Sequence, residues 1–219
     1  NQDEIDVNSL DVPYADRPEL DRWILSKYNQ LISDVTEYMD EYDHMKTVRA
    51  INEFVNEDFS NWYIRRARRS VYATTYEILV GVAKMIAPIA PFISDEIYVN
   101  LTGEATVHTA YFPKADMSLV DKNVEERMDL VRTLATLGRG TREKIKVRQP
   151  LSEVIVDGKY ESLISDLTPL IMEELNVKEV VFEKDLDKYM NFSLKPNFKA
   201  AGPVLGAKIK AFGAALAKV

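Results

Sequence analysis

Between Val48 and Trp62, apolar side chains recur in steps of three and four: Val48, Ile51, Val55, Phe59, Trp62. That spacing puts them on one side of an α-helix, so the stretch must bury a stripe against other helices. Carried onward, the stripe meets Arg66 and Arg69 in the run Asn61-Trp62-Tyr63-Ile64-Arg65-Arg66-Ala67-Arg68-Arg69. Arginine is almost never fully buried unless paired. Two readings stand side by side. One is a solvated, charge-paired helix end, as most charge clusters are. The other is a helix face that leaves the core and meets an anion, with guanidinium groups beside an aromatic ring.

The same period recurs along the first two thirds of the chain. Pro18 in a first turn, then Leu20, Trp23, Ile24, Tyr28, Leu31, Val35 and Met39, predict a helix over about 18–42. A second helix starts near Asp43 or Met45 and carries the stripe above. The third reads Tyr76, Leu79, Val80, Ala83, Ile86, Ala87 and must stop or kink at Pro88, which lacks the amide and clashes with the preceding turn. Pro91 opens a short fourth helix with Phe92, Ile93, Ile97 and Leu101 as its buried face, ended by Thr102-Gly103. Residues 102–120 connect, with 106–112 extended. Asp121 caps a fifth helix whose inner stripe is Val124, Met128, Val131, Ala135 and Gly138. Antiparallel helices with short links make an all-α bundle.

After Lys144 the period changes. Val147, Leu151, Val154 and Val156 read as extended, with Asp157-Gly158 as a turn. Leu163–Leu175 reads as an amphipathic helix, Val177–Glu183 and Tyr189–Leu194 as strands, and Gly202-Pro203 as the opening of a last helix. The expected fold is therefore mainly α: a bundle over 17–145, then a small α+β module over 146–219, with 1–16 as a linker.

Composition narrows the function. The chain has no cysteine and two histidines, His44 and His108, so thiolate metal sites and nucleophile–histidine catalysis are poorly supported. No glycine-rich phosphate loop occurs, and no apolar run is long enough to span a bilayer. Asp95 and Glu96 are adjacent, and neighbouring helix positions point about 100° apart, which argues against a shared acid/base site. Net charge is −7, but it is unevenly spread. Residues 1–60 hold 5 basic and 15 acidic side chains, residues 61–150 hold 14 and 10, and the remainder 9 and 10. A positive middle beside an acidic opening can bind a polyanion locally.

Four stretches carry a family resemblance: Leu20-Asp21-Arg22-Trp23-Ile24-Leu25-Ser26, Ser60-Asn61-Trp62-Tyr63-Ile64-Arg65-Arg66, Ala87-Pro88-Ile89-Ala90-Pro91-Phe92-Ile93-Ser94-Asp95-Glu96-Ile97-Tyr98, and Lys146-Val147-Arg148-Gln149-Pro150-Leu151. From Leu20 onward the chain resembles the C-terminal part of the isoleucyl-tRNA synthetases, class I aminoacyl-tRNA synthetases. The first three stretches also resemble the valyl, leucyl and methionyl relatives. The fourth tips the choice, together with Glu174-Leu175-Asn176-Val177-Lys178 and Leu194-Lys195-Pro196-Asn197-Phe198-Lys199. Two joins, Ser70–Thr74 and Thr141–Lys146, are shorter than the family's, which we read as loops left out rather than a shorter fold. Some bacterial members end in a cysteine-rich zinc module; this ending resembles the other branch.

The resemblance implies a helical bundle that binds the anticodon side of an isoleucine tRNA, working with an upstream catalytic domain of the same chain, as a cytoplasmic monomer without membrane contact. The ATP-site signatures HIGH and KMSKS are absent, and editing in the family resides in an upstream insertion. The region should therefore not activate isoleucine alone, and needs no cofactor; ATP and Mg belong to the full-length enzyme. Arg65, Arg66 and Arg69 are the first expected RNA contacts. Trp62 is a stacking platform or, as the continuation of the apolar stripe, a core residue. Arg142, Lys146 and Arg148 form a second group with Arg139 and Lys144; Lys195 and Lys199 are weaker candidates. Arg65 has an alternative, pairing with Glu57 or Asp58. Two other readings stay open: the same region of a valyl or leucyl enzyme, and a helical scaffold that binds proteins through its acidic N-terminal face.

Overall fold

A computed structural model describes residues 13–66, 72–146, 148–189 and Gly206. The chain divides between Leu137 and Gly138 into two compact units.

The first unit is built round α1, Glu19–Asp40. Its stripe buries Trp23, Ile24, Leu25, Tyr28, Leu31, Ile32 and Val35. A three-residue link follows. Asp43 then caps α2, His44–Glu53, its carboxylate accepting the Lys46 N–H at 2.9 Å. The helix does not end there: it continues as a π-wound segment, Phe54–Ile64. A π turn closes from residue i to i+5 and holds nearly one residue more than an α turn. That winding moves the predicted stripe. Val48 is exposed and Val55 half-buried, while Phe54 and Tyr63 join Ile51, Phe59 and Trp62 in the core. Phe54, Phe59 and Tyr63 then form a ladder, with ring centroids 6.3 Å and 5.8 Å apart.

α3, Tyr72–Ile86, ends before Pro88 as expected. Its most buried line is Thr74, Ile78, Gly81 and Met85 rather than Tyr76, Leu79 and Ile86, because α3 is apolar on more than one side and meets two neighbours. Ala83 lies in a small cluster with Tyr98 and Val107, against Val80, Ala87, Ile97 and Ala110. α4, Pro91–Thr102, has proline in its first turn and ends at Gly103, whose φ of 74° suits glycine. It buries Ser94 and Tyr98, whereas Phe92 and Ile93, expected inside, are 90% and 55% exposed. The reason is direction: the face turned to α3 carries Ser94, Ile97 and Tyr98. Asp95 fastens the following connection, accepting from the Thr106 hydroxyl at 2.6 Å and the Val107 N–H at 2.8 Å. That connection forms short 3-10 turns at Val107–Thr109 and Met117–Leu119 rather than one extended run.

Asp121 caps α5, Lys122–Ile145, as expected, accepting the Asn123 and Val124 N–H groups. Val124, Met128, Val131 and Ala135 are buried; Gly138 is half-buried. Polar ties bind this start to α1. Ser26 donates to Glu125 at 2.6 Å and accepts the Asp121 N–H at 2.9 Å. Arg127 pairs with Glu19 at 3.0 Å.

The second unit contains two parallel strands, β1 (Leu151–Asp157) and β2 (Val177–Glu183), joined by helical turns. The single helix expected over Leu163–Leu175 is broken: α6 is Glu161–Ile164, a 3-10 turn spans Ser165–Leu167, and α7 is Thr168–Leu175. Pro169 sits in the first turn of α7 and cannot continue the helix before it. Ile164, Leu167, Ile171, Leu175, Val156 and Val177 form the core. A Cβ on Gly138 would lie 2.6 Å from Leu175, so glycine lets the end of α5 approach α7. The strand and helix expected beyond Tyr189 lie outside the described residues; Tyr189 itself closes a 3-10 turn.

Candidate nucleic-acid interface

The π-wound segment ends in two ties, at Tyr63 and Trp62, the first of them shared with Thr74 of α3. Tyr63 donates its hydroxyl to Asp21 at 3.1 Å, and Thr74 donates to the other oxygen of Asp21 at 2.9 Å. Burial pushes the Asp21 carboxyl above the usual carboxylate range, against these two hydrogen bonds. It pushes the Tyr63 hydroxyl up as well, helped by the neighbouring Asp21 charge. Trp62 points its indole N–H at the Met128 sulfur, 3.4 Å away.

Of the expected contacts, Arg65 is exposed at the end of this segment. Arg66 is buried. Its guanidinium lies 3.4 Å from the centroid of the Trp62 ring and donates to the Trp62 carbonyl at 2.8 Å. Trp62 itself is 4% exposed, so for it to serve as a stacking platform Arg66 must first swing off its ring. Arg69 lies outside the described residues.

Asp58, an alternative partner for Arg65, is taken by a residue that the sequence did not flag. Arg132 of α5 donates to it at 2.5 Å and to the Glu57 carbonyl at 3.3 Å. The same guanidinium lies 5.4 Å from the Trp23 ring centroid and 5.6 Å from that of Trp62. Desolvation raises the Asp58 carboxyl above its ordinary value, and Arg132 opposes the shift. Nothing local marks Arg132; its partner is 74 residues away.

In the second unit, Arg142 donates to the Gln149 carbonyl at 2.6 Å. Lys146 and Arg148 are exposed, and Lys146 takes a left-handed backbone, φ 55°. That conformation is uncommon for a residue with a Cβ and turns the chain out of α5. Arg139 pairs with Glu174, and Lys144 is exposed. Lys195 and Lys199 lie outside the described residues. Among the described residues no three His, Cys, Asp or Glu side chains gather to hold a metal ion, and no helix is long and apolar enough to cross a membrane.

The family model for the anticodon-binding domain of tRNA ligase matches residues 21–156. The chain belongs to this family. The match takes in α2 through α5, all but the first two residues of α1 and the last of β1, and every described candidate residue.

Similar proteins match over more of the chain. The isoleucine–tRNA ligase of Porphyromonas gingivalis is 39% identical over 223 residues, 94% of this chain and 20% of the relative. That of Bacteroides thetaiotaomicron is 37% identical over 242 residues, all of this chain and 21% of the relative. That of Clostridium novyi is 40% identical over 220 residues, 91% and 21%. The chain thus spans about a fifth of the length of these relatives. The Bacteroides alignment is longer than the chain's 219 residues, so that relative carries residues with no counterpart here.

Proposed function

We propose that this anticodon-binding domain recognises the anticodon side of isoleucine tRNA, as part of an aminoacyl-tRNA synthetase whose catalytic domain uses ATP and Mg. The observation that carries the reading is the family match over residues 21–156, which embraces an exposed arginine at the end of the π-wound segment. Anticodon loops offer unstacked bases and closely spaced phosphates, and proteins read them by stacking, by hydrogen bonds to base edges and by guanidinium–phosphate contact.

Arg65 is the phosphate or base contact of the first unit. Arg66 holds the helix end against Trp62, and Arg69 is a further candidate beside them. Arg142, Lys146 and Arg148 serve the second unit, with Lys146 and Arg148 facing solvent. The domain needs no cofactor for this step. It acts in the cytoplasm, as a monomer, beside the catalytic domain of its own chain. Similarity to three proteins named isoleucine–tRNA ligase supports isoleucine over valine or leucine.

Filter binding of isoleucine tRNA against tRNAs with altered anticodons tests the reading. Preference for the isoleucine anticodon is expected; equal binding to all would refute it. Arg65→Ala should weaken binding and lower the salt slope by about one phosphate contact.

A further inference from the structure

We infer that Arg132 is a positioning residue for RNA binding: it fixes the π-wound segment whose end presents Arg65. The inference rests on the tRNA-binding reading above.

A helix closed from i to i+5 is rare, and long π stretches rarer still. Such a conformation persists only where the surroundings determine it. Phe54–Ile64 is held from outside along its first half and at its close. Near its close, Tyr63 is tied to Asp21 of α1 and Trp62 to Met128 of α5. Just before its midpoint the tie is Arg132, through the Asp58 carboxylate at 2.5 Å and the Glu57 carbonyl at 3.3 Å. A planar fork is suited to take a side chain and a backbone oxygen of consecutive residues while lying over neighbouring rings. Trp23 and Trp62 are those rings.

Rewinding the segment as an α-helix would shorten each turn and carry Arg65 round to a different face. Arg132 is itself a poor RNA ligand. Its side chain is 24% exposed, and its donors already serve Asp58 and Glu57. It acts on RNA through the segment it holds.

The test is filter binding of isoleucine tRNA to the whole chain at several salt concentrations, below the unfolding temperature of each variant. Arg132→Met should bind about tenfold more weakly, a typical coupling for residues in contact. In an Arg65→Ala background it should cause no further loss. Arg132→Lys keeps the charge without the fork and should fall between. Without RNA, the emission of Trp23 and Trp62, the chain's two tryptophans, should shift in Arg132→Met. Should Arg132→Met not fold, Asp58→Ala removes the acceptor of the same side-chain tie, and the same loss and the same dependence on Arg65 are expected.

Parent-like affinity in a folded Arg132 or Asp58 variant overturns the inference. So does an equal loss with and without Arg65, which marks a direct contact. If Arg65→Ala alone binds like the parent, the reading of Arg65 fails by itself. If the parent binds no tRNA, the reading fails and the positioning role falls with it.

Discussion

Gly81 and Tyr28 share one space between α3 and α1: a Cβ built on Gly81 would stand 1.5 Å from the Tyr28 hydroxyl oxygen. The Tyr28 ring is buried and packs at 6.2 Å from Phe54, so it has little room to retreat. Gly81→Ala should therefore destabilise the first unit by about 1–3 kcal/mol, the usual cost of overpacking. Tyr28→Phe in the same chain should recover part of it, since the ring carbon beneath the hydroxyl stands farther off, at 2.6 Å. Urea midpoints of the three variants would check both statements.

Tyr42 follows α1 with φ 59°, a conformation glycine takes freely and a bulky residue does not. Its ring is 83% exposed and so loses little contact if removed. Tyr42→Gly should stabilise the chain by roughly 0.5–1 kcal/mol through relief of this strain. A lower melting temperature for the variant would contradict it.

Two carboxylates should answer pH in opposite senses. Asp95 is held below its ordinary value by the Thr106 hydroxyl first and the Val107 N–H second. Its folded value is the lower one, so its contribution is present above the unfolded value and lost as pH falls through the folded value. Asp21 is raised, mainly by burial. Its folded value is the higher one, so its contribution is full below the unfolded value and lost as pH rises through the folded value. On lowering pH through the carboxylate range, the parent should lose its advantage over Asp95→Asn and gain on Asp21→Asn. Denaturant titrations at a series of pH values would reveal either trend reversed.

Phe92 and Ile93 are surface residues of α4. Phe92→Ser and Ile93→Ser should each shift stability by no more than about 0.5 kcal/mol, as surface changes do. A buried phenylalanine would cost several times more, so thermal melts separate the two cases.

That pair also shows where pattern reading runs out. In α1, Trp23, Ile24, Tyr28, Leu31 and Val35 were legible because polar residues fill the opposite side; Leu25 and Ile32, also buried, were not in the predicted stripe. In α4, Phe92 and Ile93 fit an apolar period just as well, yet the side turned to α3 is the one with Ser94 and Tyr98; only the partner decides. Some helix ends were legible from a residue with a mechanism: Asp121 as a cap, Pro91 in a first turn, Gly103 at the close of α4; Pro169, which opens α7, went unread. The π winding was not, because a stripe tested against 3.6 residues per turn cannot report a wider turn. For the candidate site, the arginine run itself was legible. What sorts its members was not: Arg66 turns back onto Trp62, and Asp58 belongs to Arg132 by a contact that no local spacing announces.

The ties between Ser26 and Glu125 and between Glu19 and Arg127 join residues 99 and 108 positions apart. During synthesis the ribosome must add all of that chain before either tie can close. At about 5–20 residues per second, the oily flank of α1, with Trp23 at its centre, waits for several seconds without its last partner. Chaperone demand for this protein should therefore peak while translation is still between α2 and α5.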